Sequence, residues 1–503
     1  MNKLYKVIIP LFIFINLIMC AWSVLIKDIY YYTDIGRDFL IFDEIVTKKI
    51  VLFGPRADFQ GLFHGVLWHY LNVPAYILGN GNPVVVGWFW ILLTIGFIAS
   101  CYYIAKQLFG KKSGIIMLIL LTGYMVPLTQ GFFHGNGAML ILPAFFYLFI
   151  RYIQKNEPKY LAGHLLLLGF LVQFEIAIGG PLIILSTVAS LFLIIKRRNF
   201  KHIFCFGALI LTLSTFLLIE LRYDFTQIRS LLRYVHGARD GASLSFSYSL
   251  YDRFDNIASH GFNLFKFELY RWNYLVFLFF IFAFLRIFQK KGTTLVIYTS
   301  FLYFYVGYYA LTLLHGGRII MFWWLPMTVL PLLILSSFHQ FFTKKVFYGF
   351  LGVIITVTLV QNIQFLKTIT YERGKGFHSW QFHYNVAKKL VTDAPADYGY
   401  FIYAPDIYGY QDKYAMLYAQ RTLNKPGVTF EKKPATYILI EPPPPNSPGL
   451  SAKWWIENKV GIKSAPIKII KLGLGYRIHS YYVSSEDISA PSKVGPSDWL
   501  YFR

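Results

Sequence analysis

Acidic residues are scarce in this chain. Asp and Glu number 25 against 48 Lys and Arg, and both signs together make up only 15% of 503 positions. A soluble globular chain carries about a quarter. Cysteine is rarer still: Cys20, Cys101 and Cys205 stand alone, each within an apolar run. None has a partner at metal-ligand spacing. That excludes a disulfide framework and a cysteine-based zinc site, and leaves three free thiols. What fills the chain instead is apolar: 56% of residues are hydrophobic and 19% aromatic. Such a balance excludes an ordinary soluble domain and indicates a polytopic protein whose main partner is the lipid bilayer.

The formal charge of +23 raises nucleic acid as a partner. The placement of the charges excludes it. A helix needs about 20 apolar residues to cross a bilayer. Runs of roughly that kind fall at 5–26, 84–105, 114–130, 136–152, 160–176, 179–195, 203–219, 272–289, 293–313, 319–341 and 346–366, which predicts about eleven spans. The basic residues sit between them in alternate loops: Lys3 and Lys6; Lys106, Lys111 and Lys112; Arg151, Lys155 and Lys159; Lys196, Arg197, Arg198 and Lys201; Arg286, Lys290 and Lys291; Lys344 and Lys345. Glu157 is the one acid among them. The positive-inside rule makes these loops, and the N-terminus, cytoplasmic.

The first apolar run is too long for a signal-peptide core, and no small-x-small cleavage site follows it. Met19 before Cys20 also makes a poor lipoprotein signal. The run is therefore read as a retained span. Loops 27–83, 131–135, 220–271 and 314–318 fall outside, with everything after 366. Residues 367–503 read as a separate small extracytoplasmic domain of mixed α/β type. There "YNVAKKLV" has helical spacing, while "YGYFIYA", "ATYILIE" and "IKIIKLGLGYRIHSYYV" have the composition of strands. "EPPPPNSPG" is a proline-rich loop. The loop containing "HGARDGASLSFSYS" suits either a mobile lid or a plain connector. No internal repeat is evident.

The most informative stretch lies just beyond the first span, "YYTDIGRDFLIFDEI". A helix over 35–49 places Phe39, Ile41, Phe42, Ile45 and Val46 on one face, with Asp43, Glu44 and Lys48 opposite. It would lie in the membrane interface. Asp38 falls within the apolar face, where a lone carboxylate costs several kcal/mol unless paired or solvated. A purely structural account has Thr33 or Asp34 capping the helix and Asp38 pairing with Arg37 or Lys49. The functional account makes Asp38, with Asp34, a reacting group. Downstream, Gly54-Pro55 marks a turn and residues 62–78 a second interfacial helix holding His64 and His69, both read as structural donors.

Asp34-Ile-Gly-Arg37-Asp38 resembles the D-x-x-R-D of the GT-C superfamily of polytopic glycosyltransferases, in its bacterial protein-mannosyltransferase, aminoarabinose-transferase and RgtA/B/C/D-like group. Gly54-Pro55, "GLFHGVLWHYL" and "IELRYDF" are similar to later segments of that group, with Val66 standing where relatives have proline. The resemblance implies a mainly α transmembrane bundle over 1–366. It also implies an inverting enzyme that takes a sugar from a polyprenyl-phosphate donor to a lipid, glycan or protein acceptor, at the outer face of the cytoplasmic membrane. Asp38 matches the family's general base, which takes the acceptor hydroxyl's proton. An apolar setting makes a carboxylate a better base, and a neighbouring guanidinium opposes that.

The leaving phosphate needs cations more than an acid. Arg37 stands beside Asp38. Arg318, in "LHGGRII" beside His315, is the leading phosphate ligand on the outer side, and Arg222 the second. Glu220 is a candidate for holding an arginine or a sugar hydroxyl, and Glu175 in "QFEIAIGG" is an unusual charge at a span end. No ligand cluster beyond Asp34 and Asp38 supports the divalent ion that some relatives use, so the expectation is metal-independent catalysis. A transporter or flippase of lipid-linked sugars is the rival reading; it calls for ionisable residues at mid-membrane and repeat symmetry. A non-catalytic scaffold would leave Asp38 unexplained.

Overall fold

The computed structural model describes residues 3–57, 61–235, 244–288, 292–443 and 451–495. It is mainly helical, with one small sheet near the C-terminus. Two compact units are present. The first comprises Met1–Trp22, Ile50–Leu71 and Phe89–Leu366; the second comprises Ser23–Lys49, Asn72–Trp88 and Lys367–Arg503. The division between Leu366 and Lys367 falls inside a continuous helix, Lys344–Gly374. The second unit also draws in two pieces of the first outer loop, which the sequence pattern assigned to the membrane domain.

In the first unit, apolar composition and helix length coincide. Among the described residues seven helices are long and apolar enough to cross a membrane: Pro83–Phe109, His134–Lys155, Ile176–Arg197, Leu269–Ile287, Thr294–His315, Met321–Gln340 and Lys344–Gly374. An eighth is formed if Phe200–Thr212 and Ser214–Arg222, bent by 60° at Leu213, make one span. The other expected spans are shorter helices, Lys3–Cys20, Lys111–Met125 and Pro158–Phe174. Outward apolar side chains such as Val188, Phe192 and Ile195 repeat at helical spacing and stay exposed, as lipid-facing residues do. Cys20 and Cys101 are buried and Cys205 half-buried, all as free thiols.

Helices His134–Lys155, Pro158–Phe174 and Ile176–Arg197 pack in succession. Their basic residues lie in or beside the connection at 155–159 and in the last turn before Arg198. His134 and Glu175 therefore share the opposite end of this group, a placement that follows from chain alternation alone.

The second unit carries a five-stranded sheet of β1 (Gly399–Tyr403), β2 (Val428–Thr429), β3 (Ala435–Ile440), β4 (Lys468–Lys471) and β5 (Arg477–Tyr482). The order is β2-β1-β3-β5-β4. β1 is parallel to both β2 and β3, while β5 is antiparallel to β3 and β4. Phe401, Tyr403, Ile438, Ile440 and Tyr481 project from one face into a core closed by Ile456, Val460 and Ile462. The three expected strand segments are all strands, and "YNVAKKLV" lies in helix Trp380–Asp393. A second helix, Tyr410–Leu423, was not foreseen. Most of "EPPPPNSPG" and the first half of "HGARDGASLSFSYS" lie outside the described residues.

Candidate active site

The helix expected over 35–49 runs from Thr33 to Lys48. Ile35, Phe39, Leu40, Ile41, Phe42 and Ile45 are buried as its apolar face, whereas Val46 at its far end is exposed. Asp38 is only 2% exposed on that face. The capping account of Asp34 does not fit: Tyr32 is the N-cap residue and no side chain caps it. Instead Asp34 Oδ1 lies 2.9 Å from Arg37 Nη1, and Asp38 Oδ1 lies 3.8 Å from Arg37 Nη2. One guanidinium thus stands between two carboxylates. Burial opposes its charge, but Asp34 and then Asp38 outweigh burial and hold it above the usual arginine range. Nε and Nη2 of Arg37 are buried and make no hydrogen bond among the described residues.

This helix is held by parts of the second unit that are remote in sequence. At Gly36 a Cβ would stand 2.8 Å from Gln411 N and 2.9 Å from Tyr410 C, so only glycine allows this approach to helix Tyr410–Leu423. Glu44, placed by the pattern on the polar face, is buried and pairs with Lys48 at 2.8 Å. Asp43 accepts from Tyr76 Oη at 2.7 Å and pairs with Arg421, whose Nη1 also donates to Tyr76 Oη at 3.1 Å. Deeper in the unit, His383 Nδ1 lies 2.6 Å from Asp412 Oδ1. Burial pushes Asp412 up to about 7 and His383 down to about 4. Glu441, half-buried beside Asp412, is held well above the carboxylate range by loss of solvent and by that neighbouring carboxyl.

The first unit brings together three residues that the sequence keeps far apart. Gly54 N donates to His64 O and His64 N to Pro55 O, each at 2.9 Å, which closes the Gly54-Pro55 turn into a short hairpin-like loop. The second interfacial helix accordingly begins at Leu67, with His64 in the loop before it. At Gly65 a Cβ would stand 2.6 Å from Gln173 Cα. This close approach sets His64 against the break between helices Pro158–Phe174 and Ile176–Arg197. Glu175 occupies that break in extended conformation and caps the second helix through Ala177 N at 3.3 Å. His134 is the first residue of its own helix.

His64 Nδ1 and His134 Nε2 each lie 3.6 Å from a Glu175 oxygen, and the three ligand atoms fall within 4.8 Å of one another. All three residues are buried. Tetrahedral zinc ligands at about 2.0–2.2 Å from the ion stand about 3.4 Å apart, so this His₂Glu set fits a divalent ion with one position open. No local sequence pattern marks this cluster. The signals for one were a glycine needed at 65 and a charged residue interrupting an apolar run at 175.

The other expected residues are not gathered in this way. Glu220 is buried, and its two oxygens accept Gln227 N and Ile228 N at 3.2 Å each, so it caps helix Thr226–Val235. Arg222 is exposed, 5.5 Å from the Tyr223 ring. Arg318 is exposed, lies 5.3 Å from the Tyr248 ring and donates to its hydroxyl. His315 packs on Trp323 at 4.4 Å. The arginine that organises this loop is Arg253, buried, bonded to Asp252 and Gly317 O at 2.7 Å and to Thr312 O at 2.8 Å. His69 is fully buried.

The family of dolichyl-phosphate-mannose-protein mannosyltransferases matches residues 66–219. Two solved structures match nearly the whole chain. ArnT from Cupriavidus metallidurans bound to undecaprenyl phosphate is 10% identical, with a TM-score of 0.59 over 97% of this chain and 99% of that one. The same protein in the apo state is 9% identical, with a TM-score of 0.62 over 97% and 100%. This chain carries the GT-C fold. The resemblance first carried by Asp34, Arg37 and Asp38 is thereby borne out, as is the mainly helical architecture with a small C-terminal sheet. No curated protein sequence matches this chain. The matched segment contains His134 and Glu175 but begins after Asp38.

Proposed function

We propose that this GT-C protein is a multi-pass glycosyltransferase of the cytoplasmic membrane. It takes a sugar from a polyprenyl-phosphate donor to a hydroxyl of a lipid, glycan or protein acceptor at the outer face. The N-terminus is cytoplasmic and the C-terminal unit extracytoplasmic. The observation that carries this reading is the group Asp34–Arg37–Asp38, with Asp38 buried on the apolar face of a helix that follows the first apolar segment.

Asp38 takes the acceptor hydroxyl's proton. The acceptor oxygen forms its bond to the anomeric carbon from the face opposite the phosphate. The old C–O bond breaks with its electron pair left on the phosphate oxygen, so polyprenyl phosphate departs and configuration inverts. Arg37 fixes both carboxylates, and its remaining buried donors suit an oxyanion. Asp34 keeps the guanidinium in place. Separately, within the first unit, His64, His134 and Glu175 would hold a divalent ion.

The test is transfer of labelled sugar from a panel of polyprenyl-phosphate sugars in reconstituted membranes, wild type against Asp38→Asn. The reading expects transfer by the wild type and a loss of several orders of magnitude in the variant with donor binding kept. Equal rates would remove Asp38 from the mechanism.

A further inference from the structure

The C-terminal unit holds a second feature that the transfer site does not use. β1 lies between β2 and β3 and is parallel to both, so the chain leaves β1 for one side and later crosses to the other. Open α/β sheets form a crevice at the carboxyl ends of strands where the order reverses in this way. Here the loop after β1 lines a cavity of about 510 Å³. That volume is within the roughly 300–1,000 Å³ of small-molecule sites.

The lining has a definite chemistry. Tyr408, Trp454 and Trp455 supply aromatic surface, and Lys413, Lys459 and Lys493 supply positive charge. Trp454 is 58% exposed, a large apolar face left toward the opening, while Trp455 is fixed against Tyr403 with ring centres 5.4 Å apart. Lys413 is buried. Lys493 N donates to Lys459 O at 2.7 Å, which holds the two lysine backbones together across 33 intervening residues. No carboxylate lines the cavity among the described residues. The loop's own acid, Asp406, is turned to its backbone and accepts Tyr408 N at 2.9 Å and Gly409 N at 3.0 Å.

We infer that this cavity binds an anionic saccharide, such as a uronate-bearing or phosphorylated glycan. Sugar rings present apolar C–H faces that lie flat on indole and phenol rings, while lysine ammonium groups meet a carboxylate or phosphate as point charges. The inference rests on the outer-face placement proposed above, which sets glycans against this surface. The cavity would then hold part of a charged acceptor, or of the polymer to which the acceptor belongs.

The test is binding of a tetragalacturonate to the detergent-solubilised full chain, beside maltotetraose, ATP and inorganic phosphate. Trp454→Ala and the double variant Lys459→Ala/Lys493→Ala change exposed side chains, so the fold is kept. The expected result is saturable tetragalacturonate binding, weakened more than tenfold by each variant, and no binding of maltotetraose. Absence of binding overturns the proposal. So does preference for ATP, or binding that ignores Trp454→Ala and is displaced equally by phosphate. Sugar transfer is measured on the same preparations. Transfer without tetragalacturonate binding sinks the cavity reading alone, and binding without transfer from any donor sinks the transferase reading alone.

Discussion

Arg37 Nη1 sits 2.9 Å from Asp34 Oδ1, and this contact keeps the guanidinium within reach of the buried Asp38. Removing the cation leaves two carboxylates together, one of them only 2% exposed. Breaking a buried pair from one side costs about 3–5 kcal/mol. Asp34 is partly solvated, so Arg37→Met is expected to cost about 2–3 kcal/mol after that discount. Adding Asp38→Asn to Arg37→Met then restores stability, because the stranded charge is gone. Thermal unfolding of the four proteins in a double-mutant cycle measures this. Simple additivity would mean that Arg37 and Asp38 are not coupled.

Gly36 gives a prediction whose sign separates local from tertiary effects. In an exposed helix interior Gly→Ala stabilises by about 1 kcal/mol. At Gly36 the new methyl would meet the backbone of Tyr410 and Gln411 at under 3 Å. Overpacking of this kind costs about 1–3 kcal/mol. Gly36→Ala is therefore expected to lower the unfolding midpoint and to cut transfer by displacing Asp34 and Asp38. A raised midpoint would show that the helix does not press on Tyr410–Leu423.

The contrast between Asp38 and Glu175 shows what the sequence could carry. Asp38 was legible because helical periodicity is local: five apolar neighbours define a face, and one carboxylate interrupts it. The strands of the C-terminal unit were legible for the same reason. Glu175 stands out as a charge at a span end, but its partners are 111 and 41 residues away, and no local pattern encodes a meeting of His64 and His134 with it. The Asp43–Arg421 pair, 378 residues apart, was equally hidden. Helix Tyr410–Leu423 escaped because its buried face contains Asp412 and Lys413, polar residues that erase the apolar period. Several expected spans proved short or bent because apolar composition fixes solvent preference more firmly than helix length.

The His64–His134–Glu175 group makes a prediction that does not depend on turnover. Protein purified with zinc or manganese and passed over a desalting column should retain about one equivalent of metal by mass spectrometry. His134→Ala or Glu175→Gln should retain at least tenfold less, since a three-ligand site loses most of its affinity with one ligand. If the ion assists transfer, chelation lowers the rate and zinc or manganese restores it. Metal retention unchanged by both substitutions would remove the group as a ligand set, and the metal-independent expectation would stand.

His383, Asp412 and Glu441 predict how the C-terminal unit responds to pH. Asp412 is raised by burial to about 7 from an ordinary 3.8. A raised carboxyl contributes stability that is fully present below its unfolded value and is lost as pH climbs through the folded one. His383 is lowered by burial to about 4 from 6.5. Its folded form binds fewer protons, so its contribution is present above 6.5 and is lost as pH falls toward 4. The histidine slope opposes the Asp412 slope between about 4 and 6.5, but Glu441, raised from an ordinary 4.5, adds a second falling slope in the same window, so a net fall remains. Above 6.5 only the carboxyls act, with Glu441 extending the fall to higher pH because burial and Asp412 hold it well up. Hydrogen-exchange protection of helix Tyr410–Leu423, corrected for intrinsic rates, should therefore decline gently from about pH 4.5 to 6.5 and more steeply above it. In Asp412→Asn one carboxyl slope is gone and the histidine slope remains against that of Glu441, so protection should be nearly flat from about pH 4.5 to 6.5 and decline less above it. The same decline in wild type and variant would mean that the Asp412–Glu441 proton is not what couples this helix to pH.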